Sequence, residues 1–169
     1  MATTDDLGLL AATMGPEARV YHVGFVVPDL ATAVAELSPA LGVTFTEPMT
    51  LPDFEVHTQD GPRDLELRLV YSTTAVHVEL IEDAPGTLWD FGDRQRGHHL
   101  GVWADDVAAE ADRLDALGLE RVWWAVGGDG HLAFSYHQTP FGFYIELVGT
   151  VAKSFYPAWF AQAEAAARS

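Results

Sequence analysis

The chain has 169 residues, of which 49% are hydrophobic, with 9 lysine and arginine residues against 25 aspartate and glutamate residues. This length and apolar content predict one well-packed domain, or two small modules that share a core. The net charge of −16 excludes nucleic acid and anionic membrane surfaces as expected partners, because both bind through clustered basic side chains. The absence of cysteine excludes disulfides, thiolate nucleophiles and thiolate metal sites.

The first segment, residues 1–19, is predicted to be a short helical extension that stops at Gly15-Pro16. Its start is acidic where a secretory signal peptide would be basic, and its apolar run is short. No stretch of the sequence approaches the roughly 20 apolar residues that a membrane span requires. We therefore expect a soluble cytoplasmic protein.

A first module is predicted over residues 20–81, with the order strand, helix and three strands. Val20 to Val27 is the first strand, and Asp29 can cap the helix that follows it. Four apolar residues of this helix lie at helical spacing: Leu30, Val34, Leu37 and Leu41. The remaining strands are expected at 54–58, 64–71 and 75–81.

A linker rich in glycine and proline, residues 82–97, precedes a second module over residues 98–150 with the same order of elements. Its helix is expected from Val107 to about Leu117. Its strands are expected at 98–104 and near 121–126, 132–138 and 142–148.

The two modules are copies of one another. Each begins with a His-x-Gly strand, continues into a helix that ends in Ala-Leu-Gly, and closes on an apolar strand with one glutamate. The repeated pairs are His22 with Glu79, and His99 with Glu146. A lone histidine or glutamate in a strand usually has an ordinary structural role. Four such residues in repeat-related positions predict a shared metal site, because a charge within an apolar strand is costly unless it is paired or binds a cation.

Alternation along the first strand gives these residues a common face. Val23, Phe25 and Val27 are predicted to face the helix, while His22 and Gly24 face the other way. The glycine two residues after the histidine leaves space beside an imidazole. The second copy repeats this pattern, and the repeat favours His99 over the adjacent His98 as its ligand.

Several other side chains are candidates for a pocket around this site. Trp103 and Tyr144 share the predicted face of the ligands, which favours an apolar or aromatic substrate. His77 and His137, together with Tyr136, are candidate orienting or acid–base groups, although each has an ordinary structural role as an alternative. Polyanionic substrates such as CoA thioesters and glutathione adducts are disfavoured, because few arginines are available to form a basic rim. These arginines are Arg63, Arg68, Arg94 and Arg96.

Residues 151–169 lie beyond the repeat and are predicted to end in a helix. The segment contains four large aromatic residues: Phe155, Tyr156, Trp159 and Phe160. The favoured interpretation is a helix that docks on the sheet or forms a dimer contact. The alternative is that these aromatic residues close one side of a binding pocket.

The motifs His-x-Gly…Pro-Asp-Leu, Val-Glu-Leu-Ile-Glu, His-His-Leu-Gly-x-x-x-Asp-Asp and Phe-Gly-Phe-Tyr-Ile-Glu-Leu-Val resemble those of the vicinal oxygen chelate superfamily. This superfamily includes glyoxalase I, methylmalonyl-CoA epimerase, bleomycin-resistance proteins and extradiol dioxygenases. The resemblance covers about residues 20–150 and is nearest in style to the glyoxalase and epimerase branch. It implies an α+β fold of two βαβββ modules that form a cup-shaped mixed sheet, here with extra N- and C-terminal helices, within a homodimer.

Carried over residue by residue, the resemblance makes His22, Glu79, His99 and Glu146 the ligands of a divalent metal. Two imidazoles and two carboxylates suit Zn, Ni, Co, Mn or ferrous iron. Such a metal stabilises the enolate that forms when a proton leaves the carbon beside a carbonyl. Glu146 is the first candidate for the base and Glu79 the second. The resemblance thus implies an isomerase, epimerase or lyase that acts on a small carbonyl compound.

Two other functions fit the same fold. A ferrous extradiol-type dioxygenase uses two histidines and one carboxylate, so the fourth ligand position at Glu79 argues against it. A non-catalytic small-molecule-binding protein would use the same cup, but the bleomycin-resistance relatives lack this ligand set.

Overall fold

The computed structural model describes residues 19–74, 76–92 and 97–167. The predicted N-terminal helix lies outside these ranges. No helix in the described part of the chain is long and apolar enough to cross a membrane.

The described chain consists of two modules with the same order of elements, followed by a C-terminal helix. The first module contains β1 (Val20–Val27), α1 (Leu30–Leu41), β2 (Met49–Thr58), β3 (Gly61–Tyr71) and β4 (His77–Glu82). The second contains β5 (His99–Ala104), α2 (Val107–Ala116), β6 (Arg121–Val126), β7 (Leu132–Gln138) and β8 (Tyr144–Gly149). A short 3-10 helix (Thr150–Ser154) then leads into α3 (Tyr156–Ala167).

The two module helices begin in the same way. The carboxylate of Asp29 accepts a hydrogen bond from the backbone N–H of Thr32 at 2.7 Å, and that of Asp106 accepts one from Ala109 at 3.0 Å. Both aspartates have extended backbone angles, as a residue that caps a helix requires. At its other end, α1 stops at Gly42, whose φ of 67° is left-handed and suits glycine.

The eight strands form one closed barrel in the order β1-β4-β3-β2-β6-β7-β8-β5. Each module therefore contributes four adjacent strands with its first and last strands parallel, and its other pairs antiparallel. The modules join through antiparallel β1 and β5, and through a short contact between β2 and β6. This confirms the predicted α+β fold with a curved mixed sheet.

The core has three parts. Under α1, Leu30 packs with Val70 and Leu80, and under α2, Ala111 packs with Leu147. The largest part fills the barrel and contains residues from both modules. It consists of Tyr21, Val26, Leu67, Leu69, Tyr71, Ile81, Leu88, Trp89, Tyr136 and Tyr144.

The segment between the modules contributes to this core. Leu88 and Trp89 are buried in the barrel, and the ring of Trp89 lies 5.5 Å from that of Tyr136. The sequence predicts only a linker at 82–97, since its glycines and prolines mark a boundary. The segment that connects the two modules therefore also forms part of the barrel core.

Candidate metal centre

The strands β1 and β5 bring the two histidines together. Their antiparallel register places His22 opposite Gly101 and Gly24 opposite His99. A Cβ atom on Gly24 would stand 1.9 Å from the imidazole of His99, and one on Gly101 would stand 2.0 Å from that of His22. Each glycine thus makes room for the histidine of the other module, whereas the sequence suggested only space beside an imidazole.

The last strand of each module brings a glutamate to the same two glycines. Parallel pairing sets Glu79 beside Gly24 on one side and Glu146 beside Gly101 on the other. Each glycine also lies opposite a histidine of the other module. The glutamate of one module therefore pairs with the histidine of the other module, and we call this arrangement the crossed pairing. The shortest contacts are Glu79 Oε2 to His99 Nε2 at 2.8 Å, and Glu146 Oε2 to His22 Nε2 at 3.1 Å.

These four residues form one buried cluster. The two Nε2 atoms of His22 and His99 are 2.9 Å apart, and the longer diagonal contacts with the carboxylates are 3.4 and 3.6 Å. One donor atom from each of the four residues lies within 4.8 Å of all the others. The structure therefore brings together all four predicted ligands, His22, Glu79, His99 and Glu146, while His98 lies against Phe25 instead.

The donor set fits a divalent cation. Atoms bound to one cation at about 2.1 Å lie roughly 3.0–3.4 Å apart in octahedral or tetrahedral geometry, and the spacings here fall around those values. Glu146 Oε2 is buried without a hydrogen-bond partner, which leaves a lone pair directed into the cluster. His99 Nδ1 donates to the carbonyl oxygen of Gly97 at 2.7 Å, which orients Nε2 inward, as metal-binding histidines usually are.

Charge coupling within the cluster is strong. Burial alone would lower the pKa of His99, but its hydrogen bond with Glu79 and the charges of Glu146 and Glu79 raise that pKa to about 8. Burial would raise the pKa of Glu79, yet the positive charge of His22 and the hydrogen bond from His99 lower it. Without a cation, Glu79 is thus held ionised by the neighbouring imidazoles, a role that a metal ion would also serve.

A cavity of about 140 Å³ lies in the barrel beside Glu79 and Glu146. Its wall carries aliphatic side chains, two further aromatic rings and four tyrosines. The tyrosines are Tyr21, Tyr71, Tyr136 and Tyr156. The other lining residues are Met49, Leu51, Leu67, Leu69, Ile81, Trp89, Phe134 and Val148.

The C-terminal helix closes one side of this cavity. Tyr156 lines it, and its hydroxyl lies 3.4 Å from that of Tyr21, while Trp159 packs 5.6 Å from the ring of Tyr71. Burial raises the pKa of Tyr156 to about 12, so its hydroxyl stays protonated at neutral pH. This arrangement supports the alternative interpretation of the C-terminal aromatic residues as part of a pocket, whereas Phe155 is 74% exposed.

The other predicted pocket residues do not line the cavity. Trp103 stacks behind Tyr21 with ring centres 3.7 Å apart, and Tyr144 is buried deeper in the barrel core. His77 donates to the carbonyl oxygen of Ser72 at 2.7 Å and packs against α3. His137 lies on the outer face of β7, where it donates to the carbonyl oxygen of Leu119, because it follows the inward-facing residue of that strand.

The predicted basic rim is only partly described. Arg68 pairs with Glu82, and Arg63 lies 3.8 Å from Asp60. Two further arginines, Arg94 and Arg96, lie outside the described residues. No lysine or arginine is among the described residues that line the cavity.

Sequence reasoning missed Tyr21 and Tyr71. Tyr21 precedes His22 and should face the opposite way, but β1 shifts register against β5 between Val20 and His22, and this irregularity turns Tyr21 inward. Tyr71 could have been found from the repeat. It ends β3 directly opposite Glu79, just as Tyr136 in β7 lies directly opposite Glu146.

A family model described as the Glyoxalase/Bleomycin resistance protein/Dioxygenase superfamily matches residues 21–136. The chain belongs to this superfamily. The match confirms the family that the sequence motifs resemble. No curated protein matches the chain.

Solved structures of this superfamily's fold are similar to the chain at low identity. A hypothetical protein from Bacillus halodurans is 12% identical with a TM-score of 0.57, over 78% of this chain and 93% of its own. A methylmalonyl-CoA epimerase variant from Streptomyces coelicolor, bound to 2-nitronate-propionyl-CoA, is 17% identical with a TM-score of 0.54, over 79% and 95%. The Mycobacterium tuberculosis methylmalonyl-CoA epimerase is 20% identical with a TM-score of 0.54, over 82% and 94%. These similarities support the fold.

Proposed function

We propose that this protein is a divalent-metal-dependent isomerase, epimerase or lyase that acts on a small apolar or aromatic carbonyl compound. The observation that carries the proposal is the buried convergence of two imidazoles and two carboxylates on one point, beside a cavity. His22, Glu79, His99 and Glu146 would hold the cation. When bound, the cation supplies Lewis-acid stabilisation of the negative charge that develops on the substrate oxygen as a neighbouring proton leaves.

Glu146 is the proposed proton acceptor. Both glutamates line the cavity, but Glu79 Oε2 is engaged by His99 at 2.8 Å, whereas Glu146 Oε2 has no hydrogen bond. Oε2 of Glu146 would help to hold the cation beside His22 at 3.1 Å, and once released from it would accept the proton with no hydrogen bond to break first. Glu79 then keeps the cluster ordered while Glu146 exchanges the proton.

The cavity wall supports a small uncharged substrate. A volume of about 140 Å³ is close to that of an engineered cavity of about 150 Å³ that holds benzene. The wall is aliphatic, aromatic and phenolic, and its described charges are the two glutamates. No lysine or arginine is among the described residues of this wall to pair with a phosphate group, so we propose that the substrate is not a CoA ester, unlike the ligand of the epimerase structure from Streptomyces coelicolor.

Metal analysis and proton exchange test this function. Protein purified without chelator should contain about one equivalent of Zn, Ni, Co or Mn. In a screen of small aryl and alkyl carbonyl compounds in D2O, it should catalyse metal-dependent exchange at the carbon beside the carbonyl, followed by NMR. Glu146→Gln should lower this exchange by about 10²-fold or more. Glu66→Gln, which changes an exposed glutamate in β3, serves as the matched control and should have no effect.

Other results of the same experiment contradict the proposal. Bound iron with substrate-dependent oxygen consumption would indicate a dioxygenase. Ligand binding without any metal, unaffected by changes at Glu79 and Glu146, would indicate a non-catalytic binding protein. Unchanged metal content and unchanged exchange in Glu146→Gln would overturn the site assignment.

We further propose a cytoplasmic homodimer. The dimer is supported by exposed apolar side chains beside the C-terminal helix, since Val151 is 83% and Phe155 74% exposed. A surface groove of about 680 Å³ between α3 and the start of β2 adds to this apolar area. Light scattering coupled to size-exclusion chromatography should give twice the chain mass of 18.4 kDa, and the chain mass alone would contradict the dimer.

A further inference from the structure

Each module places one tyrosine directly across the sheet from its glutamate. Tyr71 in β3 is the register partner of Glu79 in β4, and Tyr136 in β7 is the register partner of Glu146 in β8. Direct partners in antiparallel strands have their side chains on the same face, about 4.5–5.5 Å apart at Cβ. The hydroxyl-bearing ring and the carboxylate of each pair therefore enter the barrel side by side.

The same tyrosines also contact the histidines. The ring of Tyr71 meets that of His22 edge to face, with centres 5.3 Å apart and an interplanar angle of 81°. The ring of Tyr136 meets that of His99 at 5.1 Å and 73°. Both tyrosines are buried and line the cavity. Each one thus touches the histidine and the glutamate that its own module supplies.

The hydroxyls supply donors that the carboxylates need. Burial raises the pKa of Tyr136 and the charge of Glu146 raises it further, while Tyr71 adds to the lowering of the pKa of Glu79 by His22 and His99, as a hydroxyl beside a carboxylate does. A buried carboxylate can accept about four hydrogen bonds, and a lone pair that has no donor inside the barrel costs free energy. Oε2 of Glu146 has no hydrogen bond, and it lies 3.1 Å from His22 Nε2.

We propose that Tyr71 and Tyr136 are a symmetric pair of positioning residues that hold Glu79 and Glu146 in the orientation needed to bind a cation. The inference rests on the proposed metal-dependent function. It extends the repeated unit from a histidine and a glutamate to a histidine, a tyrosine and a glutamate. The ring of each tyrosine limits how far the imidazole turns, and its hydroxyl limits how far the carboxylate turns.

Cobalt binding to phenylalanine variants tests this pair. Tyr71→Phe and Tyr136→Phe keep the ring against the imidazole and remove only the hydroxyl. Each should weaken Co²⁺ binding about 10-fold or more, because loss of a group that orients a ligand typically costs 10–100-fold in metal affinity. The Co²⁺ absorption spectrum should also change, since a freed carboxylate alters the coordination. The affinity is measured by titration against a competing chelator.

Tyr21→Phe is the matched control. The ring of Tyr21 also meets His22 edge to face, at 4.3 Å, but its hydroxyl lies beside that of Tyr156 at 3.4 Å. This variant should bind Co²⁺ within about twofold of the unsubstituted protein, with the same spectrum. Thermal unfolding of each metal-free variant confirms that it is folded, and if one phenylalanine variant does not fold, the other decides the result.

The outcomes separate this inference from the proposed function. Unsubstituted protein that does not bind Co²⁺ would overturn both. Unsubstituted protein that binds Co²⁺, with Tyr71→Phe and Tyr136→Phe binding equally well and with the same spectrum, would overturn the positioning role alone. Equal weakening in Tyr21→Phe would also overturn it, because the effect would then not depend on the carboxylate partner.

Discussion

Gly24 and Gly101 set how closely the two modules approach at the candidate metal centre. Each lies between a histidine of the other module and a glutamate of its own. Neither has a positive φ, so their requirement for glycine is one of space. A larger residue at either position would occupy the volume of an imidazole, and the cluster would lose one of its donors.

Replacing Gly24 with alanine should disrupt both the fold and cation binding. The added methyl group would stand 1.9 Å from His99 Cε1, and forcing extra atoms into a packed interior costs about 1–3 kcal/mol in the free energy of unfolding. Urea denaturation should show this loss, and Co²⁺ titration should show weaker binding.

Gly128→Ala provides the matched control, because a Cβ atom there has nothing within 4 Å. It should leave the urea midpoint and cation affinity unchanged. Cation affinity in Gly24→Ala equal to that of the unsubstituted protein would show that His99 is not required where the structure places it.

The sequence was most informative about residues that have a counterpart at the same position of the other module. His22, Glu79, His99 and Glu146 could be predicted as one group because a repeat gives each residue a counterpart and a shared strand face. Their crossed pairing between modules could not be predicted, since it depends on the β1–β5 register. The inward position of Tyr21 could not be predicted either. The register shift beside it interrupts the alternation of side chains between the two faces of the strand, and the prediction relied on that alternation.

Among the elements, α2 is linked to the start of β1 through Glu110. Its carboxylate accepts hydrogen bonds from Arg113 Nε at 2.8 Å and Nη2 at 2.7 Å, within the helix. It also pairs with Arg19, the residue before β1. The hydrogen bonds from Arg113 and Arg19 lower the pKa of Glu110 from 4.5 to about 2. This contact joins the first strand of one module to the helix of the other.

The contribution of Glu110 to stability should disappear in acid. Its pKa is lower in the folded state, so its contribution is present above about pH 4.5 and is lost as the pH falls toward 2. At pH 7, Glu110→Gln should lower the melting temperature by roughly 1–4 °C, the small effect expected of an exposed ion pair.

Thermal unfolding at fixed ionic strength, from pH 7 to pH 3.5, measures this effect. The difference between Glu110→Gln and the unsubstituted protein should shrink below pH 4.5, and it should also shrink in 1 M salt at pH 7. A difference that stays constant with pH would contradict the lowered pKa.

Strand boundaries show where local patterns stop being informative. β2 begins at Met49, whereas the sequence predicts a strand only at 54–58. The sequence pattern is interrupted at Pro52, and the pairing with β3 shifts register between Leu51 and Phe54. Cross-strand pairing maintains the strand through this irregularity, and pairing is a property of the sheet that a local pattern does not contain.

For the molecule as a whole, the barrel and the cluster depend on each other. The modules contact through two strand pairs, and the donors of both modules meet beside the β1–β5 pair. The module architecture followed from the repeat, but the closure of eight strands into one barrel did not. Closure also depends on the β2–β6 contact, which involves only His57, Thr58 and their partners in the described chain.

A bound cation should therefore stabilise the entire fold. At a free concentration one hundred times its dissociation constant, a cation that binds only the folded state adds about 2.7 kcal/mol, roughly 5–10 °C for a chain of this size. Melting temperatures with Zn²⁺ or Co²⁺, and after removal of the metal by a chelator, measure this gain.

His22→Ala and His99→Ala should abolish the gain, while His131→Ala, which changes an exposed loop histidine, should retain it. A melting temperature that rises equally in His22→Ala would indicate that the cation binds elsewhere.

The crossed pairing has a consequence for the order in which the protein is made. His22 and Glu79 emerge from the ribosome before the residues opposite them exist, and each pairs most closely with a residue of the later module. A nascent first module therefore has half a ligand set and exposes the strand edges that later pair with β5 and β6. The complete ligand set exists only after β8 has been synthesised, so full cation binding stabilises the finished fold rather than the first module.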